Sequence, residues 1–268
     1  MALYAEKHMP TLVRNSPAFK ARNYKQALID SFLGFDRSLL TPEGKKELDE
    51  INAAIPSKSP VFGQPESADL ASFVGCTACV ALITKTEIYV ANSGDSRAVL
   101  SKNGIAINMS EDHKPDLELE KRRIEQAGGY VEDNRVNGVL NLSRSLGDMD
   151  YKQNKKLKPE DQIITAMPDV KVEKIANETE FLLIGCDGVW DCLTSQEAID
   201  YVGDQLKKSG FKQDKPFHLS KILESMLDKI IAPDIEAKGM CMIRVTPPIG
   251  GLGCDNMTSV LVYFKKPN

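Results

Sequence analysis

Apolar positions follow two rhythms along the chain, a helical one at the beginning and a strand-like one from the middle onward. Leu3, Tyr4, His8, Met9, Leu12 and Val13 fall near a 3.6-residue period and predict a helix over 1–15, with no capping residue before it. Tyr24 to Leu40 reads as an amphipathic helix with Ala27, Leu28, Phe32, Leu33 and Phe35 to one side, and Pro42 starts another through Ile51. Residues 54–72 are rich in Pro and Ser, carry no period and predict a surface loop. From Val74 the runs VGCTACVALI, EIYVANS and RAVLS predict short strands in an antiparallel meander. A charged helix follows at Asp116 to Ala127, stopped by Gly128 and Gly129. Tyr130 to Leu142 reads as a hairpin turning near Asp133 and Asn134, and 143–168 as irregular, Lys-rich chain. Strands around Val170 and Phe181, helices at Ser195–Lys207 and Phe217–Ala232, a glycine-rich loop from Pro233 to Cys254 and a last strand complete the pattern. Strands and helices come in separate runs, so the expected class is α+β.

Within that pattern the stretch FLLIGCDGVWD stands out, because an uninterrupted apolar run ends in a carboxylate. Phe181, Leu182, Leu183 and Ile184 read as a strand buried on both faces, which places Asp187 at its end, with Asp191 four residues on. Unpaired, a carboxylate in such a place is expelled or neutralised, so a cationic partner is expected. Asp255 follows Gly250, Gly251 and Gly253 and precedes an apolar strand, and Asp95 sits in a Ser-Gly-Asp-Ser turn. Taken singly, Asp95 reads as a turn former, Asp191 as a helix N-terminal charge and Asp255 as a cap on the glycine turn. Taken together they point to a shared divalent-cation site, and an all-oxygen set suits magnesium or manganese. Trp190 reads as a core anchor of the turn, and Thr77 as a satisfied hydroxyl on its strand that could also bond a metal ligand.

Composition narrows the alternatives. With 268 residues and 42% apolar content the chain can bury a substantial core, and a net charge of −4 does not suggest nucleic acid. No apolar run approaches the roughly 18 residues of a membrane span, and MALYAEKHMP lacks the order of a signal peptide, so a cytoplasmic or nuclear protein is expected. Cys76 and Cys79 form a lone Cys-x-x-Cys in an apparent strand, and the histidines stand at no ligand spacing from a cysteine, so reduced thiols are expected. No kinase glycine loop, phosphate-binding Gly-Lys loop or Cys-x5-Arg thiolate cradle occurs, and Asp148-Met149-Asp150 does not close a buried strand as an aspartyl nucleophile would require.

A set of motifs then carries a resemblance. Val74-Gly75-Cys76-Thr77-Ala78, Ala91-Asn92-Ser93-Gly94-Asp95-Ser96-Arg97, Asp112-His113-Lys114-Pro115, Ala127-Gly128-Gly129 and Arg135-Val136-Asn137-Gly138 occur in that order. Ser143-Arg144-Ser145-Leu146-Gly147-Asp148, Cys186-Asp187-Gly188-Val189-Trp190-Asp191 and Gly253-Cys254-Asp255-Asn256-Met257-Thr258 follow. The series resembles the metal-dependent Ser/Thr protein phosphatases of the type 2C (PPM) family, gamma-type members above all. The resemblance implies a β-sandwich of two antiparallel sheets flanked by helices, one phosphatase domain over 1–268, and a flap at about 110–158. It implies two or three Mn²⁺ or Mg²⁺ ions, with Asp187 and Asp255 at a core metal, Asp95 and Asp191 around a weaker one, and Thr77 close to it.

Upstream, the family carries a phosphate-binding arginine, a Glu-Asp pair and an Asp-Gly-His-Gly-Gly motif, whereas Met1-Ala2-Leu3-Tyr4 matches the helix that follows them. The expected function is hydrolysis of phosphoserine and phosphothreonine in phosphoproteins by a metal-activated water. The alternative is a catalytically impaired truncated isoform or pseudophosphatase acting as a binding module. A monomer is expected of a complete domain, and self-association of a shortened one, through exposed sheet edges.

Overall fold

The computed structural model describes residues 1–55, 69–211, 217–232 and 253–265; most of the stretches 54–72 and 233–254, expected as loops from the sequence, lies outside them. Its helices are α1 (Ala2–Asn15), α2 (Pro17–Lys20), α3 (Tyr24–Leu39), α4 (Pro42–Ala54), α5 (Leu70–Phe73), α6 (Glu118–Gln126), α7 (Asp187–Trp190), α8 (Ser195–Lys208) and α9 (Ser220–Ile230). Its strands are β1 (Gly75–Cys76), β2 (Ala78–Ile83), β3 (Glu87–Ser93), β4 (Arg97–Lys102), β5 (Ile105–Asn108), β6 (Val131–Glu132), β7 (Arg135–Val136), β8 (Leu146–Gly147), β9 (Asp169–Lys174), β10 (Thr179–Gly185) and β11 (Ser259–Tyr263). The described chain is mixed helix and antiparallel sheet and forms two compact units.

The first unit holds residues 1–82, 89–95 and 112–171. Helix α3 is started by Asn23, whose side-chain oxygen accepts the Gln26 amide at 3.3 Å, and it presents Leu28, Phe32, Phe35 and Leu39 fully buried. Tyr4, Met9 and Val13 of α1 pack into the same core, and burial of each large side chain stabilises by about 1.5–3 kcal/mol. Helix α4 begins with Thr41 accepting the Gly44 amide at 3.0 Å and Pro42 at its first position. Strands β1 and β8 pair here, and β6 and β7 form the predicted hairpin, with Asp133 and Asn134 both left-handed at its turn.

The second unit holds 83–88, 96–111 and 172–268. Its sheet runs β11-β10-β4-β5, all antiparallel, with α8 and α9 burying Ile199, Val202, Ile222 and Met226 against Val99, Phe181 and Leu183. The unbroken apolar run at Phe181 matches burial on both faces of β10: Phe181 and Leu183 pack with α8 and α9, and Leu182, which alternates to the other face, is fully buried as well.

Two sequence expectations are corrected. The predicted meander breaks after β3, because β4 pairs with β10 and β5 in the second unit's sheet rather than with β3. The four buried positions of β4 belong to a central strand, and local alternation carries no information on which strand lies beside it. The run VGCTACVALI is likewise two strands interrupted at Thr77, with Cys76 paired to Leu146 on β8. The described cysteines are free thiols, and burial pushes Cys76 up to about 11 and Cys79 to about 12, so neither ionises near neutrality.

Candidate functional site

In the second unit the register of β10 and β11 brings two of the candidate carboxylates to one sheet end. Gly185 pairs with Ser259, and beyond that pair the Cys186 amide donates to Thr258 O at 3.2 Å. The Cys186 thiol lies between Asn256 O and the Thr258 amide, at 3.3 and 3.2 Å. Asp187 therefore opens its helical turn directly beside the segment that carries Asp255. Gly188 is what permits the approach, since a Cβ there would stand 2.4 Å from Asn256 O.

Each carboxylate is oriented by its own backbone. Asp187 Oδ1 accepts the Gly188 amide at 2.9 Å, and Asp255 Oδ1 accepts the Asn256 amide at 2.6 Å. Asp187 is half-buried at the first position of α7, where the free amides of a helix start favour a negative charge, and Asp255 is exposed. Asp191 closes the same turn, its amide donating to Asp187 O at 2.7 Å, and its side chain is exposed. It caps the C-terminal end of α7 and does not start α8, which is initiated instead by a reciprocal box between Thr194 and Glu197.

Trp190 anchors the turn as expected. Its indole nitrogen donates to Gly185 O at 2.8 Å, and the Arg97 guanidinium lies over its ring at 5.3 Å while donating to Ser195 Oγ at 3.3 Å. The last residue of β10 and the start of α8 are thereby tied to one another across the Asp187 turn.

Asp95 belongs to the first unit. It is 2% exposed and its carboxylate is ion-paired with Lys114. Its turn depends on Gly94, at φ +113°, where a Cβ would meet Thr77 Cγ2 at 2.5 Å, so Thr77 packs directly against the turn that carries Asp95.

The groups that fix this turn carried no role in the sequence reading. The Gly94 amide donates to His113 Nδ1 at 3.2 Å, which leaves the ring proton on Nε2, facing Asp169 Oδ2 at 3.2 Å. Asp169 also accepts from Arg144 Nη1 at 3.0 Å, and the His113 hydrogen bond and then Arg144 hold its carboxyl well below the usual range. Arg144 in turn binds Glu120, which is 3% exposed and also receives Arg123 and Ser143. Burial opposes the Glu120 charge, but the two guanidiniums prevail and hold it at about 2. The signal available in the sequence was the motif Asp112-His113-Lys114-Pro115 itself, whose polar residues flank no strand.

Asp148, which does not close a buried strand, is committed elsewhere. It is left-handed at φ +50°, accepts Ser145 Oγ at 2.6 Å, and burial raises its carboxyl above the ordinary value.

Residues 1–239 match the family described as protein phosphatase 2C. Probable protein phosphatase 2C 3 of Paramecium tetraurelia is 44% identical over 266 residues, covering 99% of this chain and 79% of that protein. Probable protein phosphatase 2C 11 of Oryza sativa subsp. japonica is 38% identical over 289 residues, covering 100% of this chain and 74% of that protein. The crystal structure of a serine-threonine phosphatase 2C from Toxoplasma gondii superposes with a TM-score of 0.65 at 20% identity, over 98% of this chain and 81% of that one, and so shares the fold.

Proposed function

Because this chain belongs to the protein phosphatase 2C family, we propose that Asp187 and Asp255 are the carboxylates through which it holds a divalent cation for phosphoester hydrolysis. The protein is a protein serine/threonine phosphatase, and its substrates are phosphoproteins. The observation that carries the assignment is the pairing of Gly185 with Ser259, which sets the two carboxylate-bearing segments side by side.

The donor set fits in kind. Both side chains offer hard oxygen, as magnesium and manganese require, and Asp255 has no partner among the described residues beyond the Asn256 amide. Among the described residues no group of three or more His, Cys, Asp or Glu side chains stands close enough together to hold one ion. When bound, the cation supplies a more acidic water and screens the phosphoryl oxygens. The chain's own part is orientation: the backbone bonds at Gly188 and Asn256 fix the rotation of each carboxylate, and Trp190 holds the turn on which Asp187 stands. Asp191, one turn on, is assigned to a more weakly held cation. Asp95 is assigned as a ligand that must release Lys114 to act.

The experiment is phosphate release from a phosphothreonine peptide with Mn²⁺ or Mg²⁺, beside Asp187→Asn and Asp255→Asn. Release should require the cation, stop with chelator, and fall by at least ~10–100-fold in either variant, the loss associated with weakening a metal site's supporting partners. Cation-independent release, or an unchanged rate in Asp187→Asn, would reject the assignment.

A further inference from the structure

We infer that a recess of the first unit, between the C-terminal turn of α3 and the segment 149–162, is a docking site for an acidic peptide segment bearing one leucine-sized apolar side chain. Its walls are Leu33, Leu40, Met149, Leu157 and Pro159, and it encloses about 240 Å³. That is below the roughly 300–1,000 Å³ of pockets that enclose a whole small molecule, and suits a single anchoring side chain. Leu40 is 52% exposed at its edge, an apolar surface that an inserted side chain would cover.

The floor asks nothing of a ligand. Asp36 receives Lys152 Nζ at 2.6 Å and the Gly147 amide at 2.9 Å, and Lys152 also donates to Ser145 O at 2.8 Å. The pair is neutral in sum and its groups are satisfied within the unit, so specificity does not come from there. The rim, by contrast, is positively charged. Arg37 and Lys155 are exposed, neither makes an ion pair among the described residues, and Asp36 is the only carboxylate in the lining. Lys156, next to Lys155, is a further exposed cation, whereas Lys152 is neutralised by Asp36 and Lys158 pairs with Glu160, in a chain whose net charge is −4. Positive charge gathered around an apolar recess, against the sign of the whole molecule, selects an acidic partner with an apolar anchor.

The site would deepen the phosphatase reading by recruiting phosphoproteins through a segment away from the phosphoresidue, and it rests on that reading for this purpose alone. The probe is a fluorescein-labelled, unphosphorylated peptide, Glu-Asp-Glu-Leu-Asp-Glu, followed by anisotropy. The wild-type chain should bind it, with affinity falling as salt rises. Replacing the peptide's Leu by Ser should weaken binding by ~10–100-fold, the loss of one buried apolar side chain. Reversing the rim charges with Arg37→Glu and Lys155→Glu should weaken it by ~10-fold, as two exposed charge contacts turned repulsive.

A photoleucine version of the peptide should cross-link within 33–40 or 149–159, a readout that needs no variant. Absence of binding, equal binding of the Ser peptide, insensitivity to the double variant, cross-links elsewhere, or equal binding of a thymidine oligonucleotide would each overturn the proposal. Binding does not require turnover, so a chain that binds the peptide but releases no phosphate would count against the phosphatase reading and leave the docking site standing.

Discussion

Glu120 lies under Arg144 and Arg123 with 4% of its side chain exposed, and the arrangement makes one carboxylate answerable for two buried cations. Glu120→Gln leaves the Arg123 guanidinium buried without a carboxylate partner and Arg144 with Asp169 alone, and should destabilise by about 3–5 kcal/mol in denaturant titration. Because its folded pKa is lowered from 4.5 to about 2, its stabilisation is complete above about pH 4.5 and is lost as pH falls toward 2. Stability measured across that window should fall by about 3 kcal/mol more in the wild type than in Glu120→Gln; parallel curves would mean that the charge is not what holds the cluster. Legibility at this scale was uneven for a physical reason. Asp187 and Asp255 could be picked out because glycines and apolar runs beside them are local signals. The partnership of His113 with Asp169 spans 56 residues and is created by folding, so nothing in either neighbourhood announces it.

The elements near Asp187 are short, and their placement depends on a few contacts that substitutions can address. Gly188→Ala sets a methyl 2.4 Å from the carbonyl of Asn256, and the segment before β11 must move away from α7. Since that segment carries Asp255, the variant should keep its helical circular dichroism while losing Mn²⁺ affinity, read by the free Mn²⁺ resonance during titration. Unaltered Mn²⁺ binding would show that the two carboxylates do not need this approach. Thr194→Ala, which removes the box that starts α8, should cost about 1 kcal/mol and leave Mn²⁺ binding unchanged, separating stability from site geometry. Helices α1, α3, α4, α8 and α9 were legible within a few residues because each shows an apolar stripe, and α3, α4 and α8 add a side-chain cap. Strand β5 was not anticipated, being four residues long with Ile105 exposed, and the sheet change between β3 and β4 was hidden because strand patterning records burial and not partnership.

On the scale of the molecule, the division into two units turns the single tryptophan into a local probe. Trp190 is 7% exposed and packs with Val189, Ile199 and Met226, so its emission reports the second unit, which also carries Asp187 and Asp255. The first unit has its own core around Phe32, Phe35 and Leu146, and no tryptophan. A cation that binds the folded second unit and not its unfolded chain must stabilise it by mass action, about 2.7 kcal/mol at a hundredfold excess over Kd. Mg²⁺, chosen because it does not quench fluorescence paramagnetically, should therefore raise the melting temperature seen by Trp190 emission, and chelator should reverse the shift. In Asp187→Asn or Asp255→Asn the shift should vanish, and in Asp255→Asn the melting temperature without cation should change little, because Asp255 is exposed. Far-ultraviolet circular dichroism, which sums both units, should show the same Mg²⁺ shift only if the units unfold together. A shift confined to the tryptophan signal would mean that cation binding stabilises the second unit without being transmitted to the first. A shift that survives in both variants would locate the bound cation away from this pair of carboxylates.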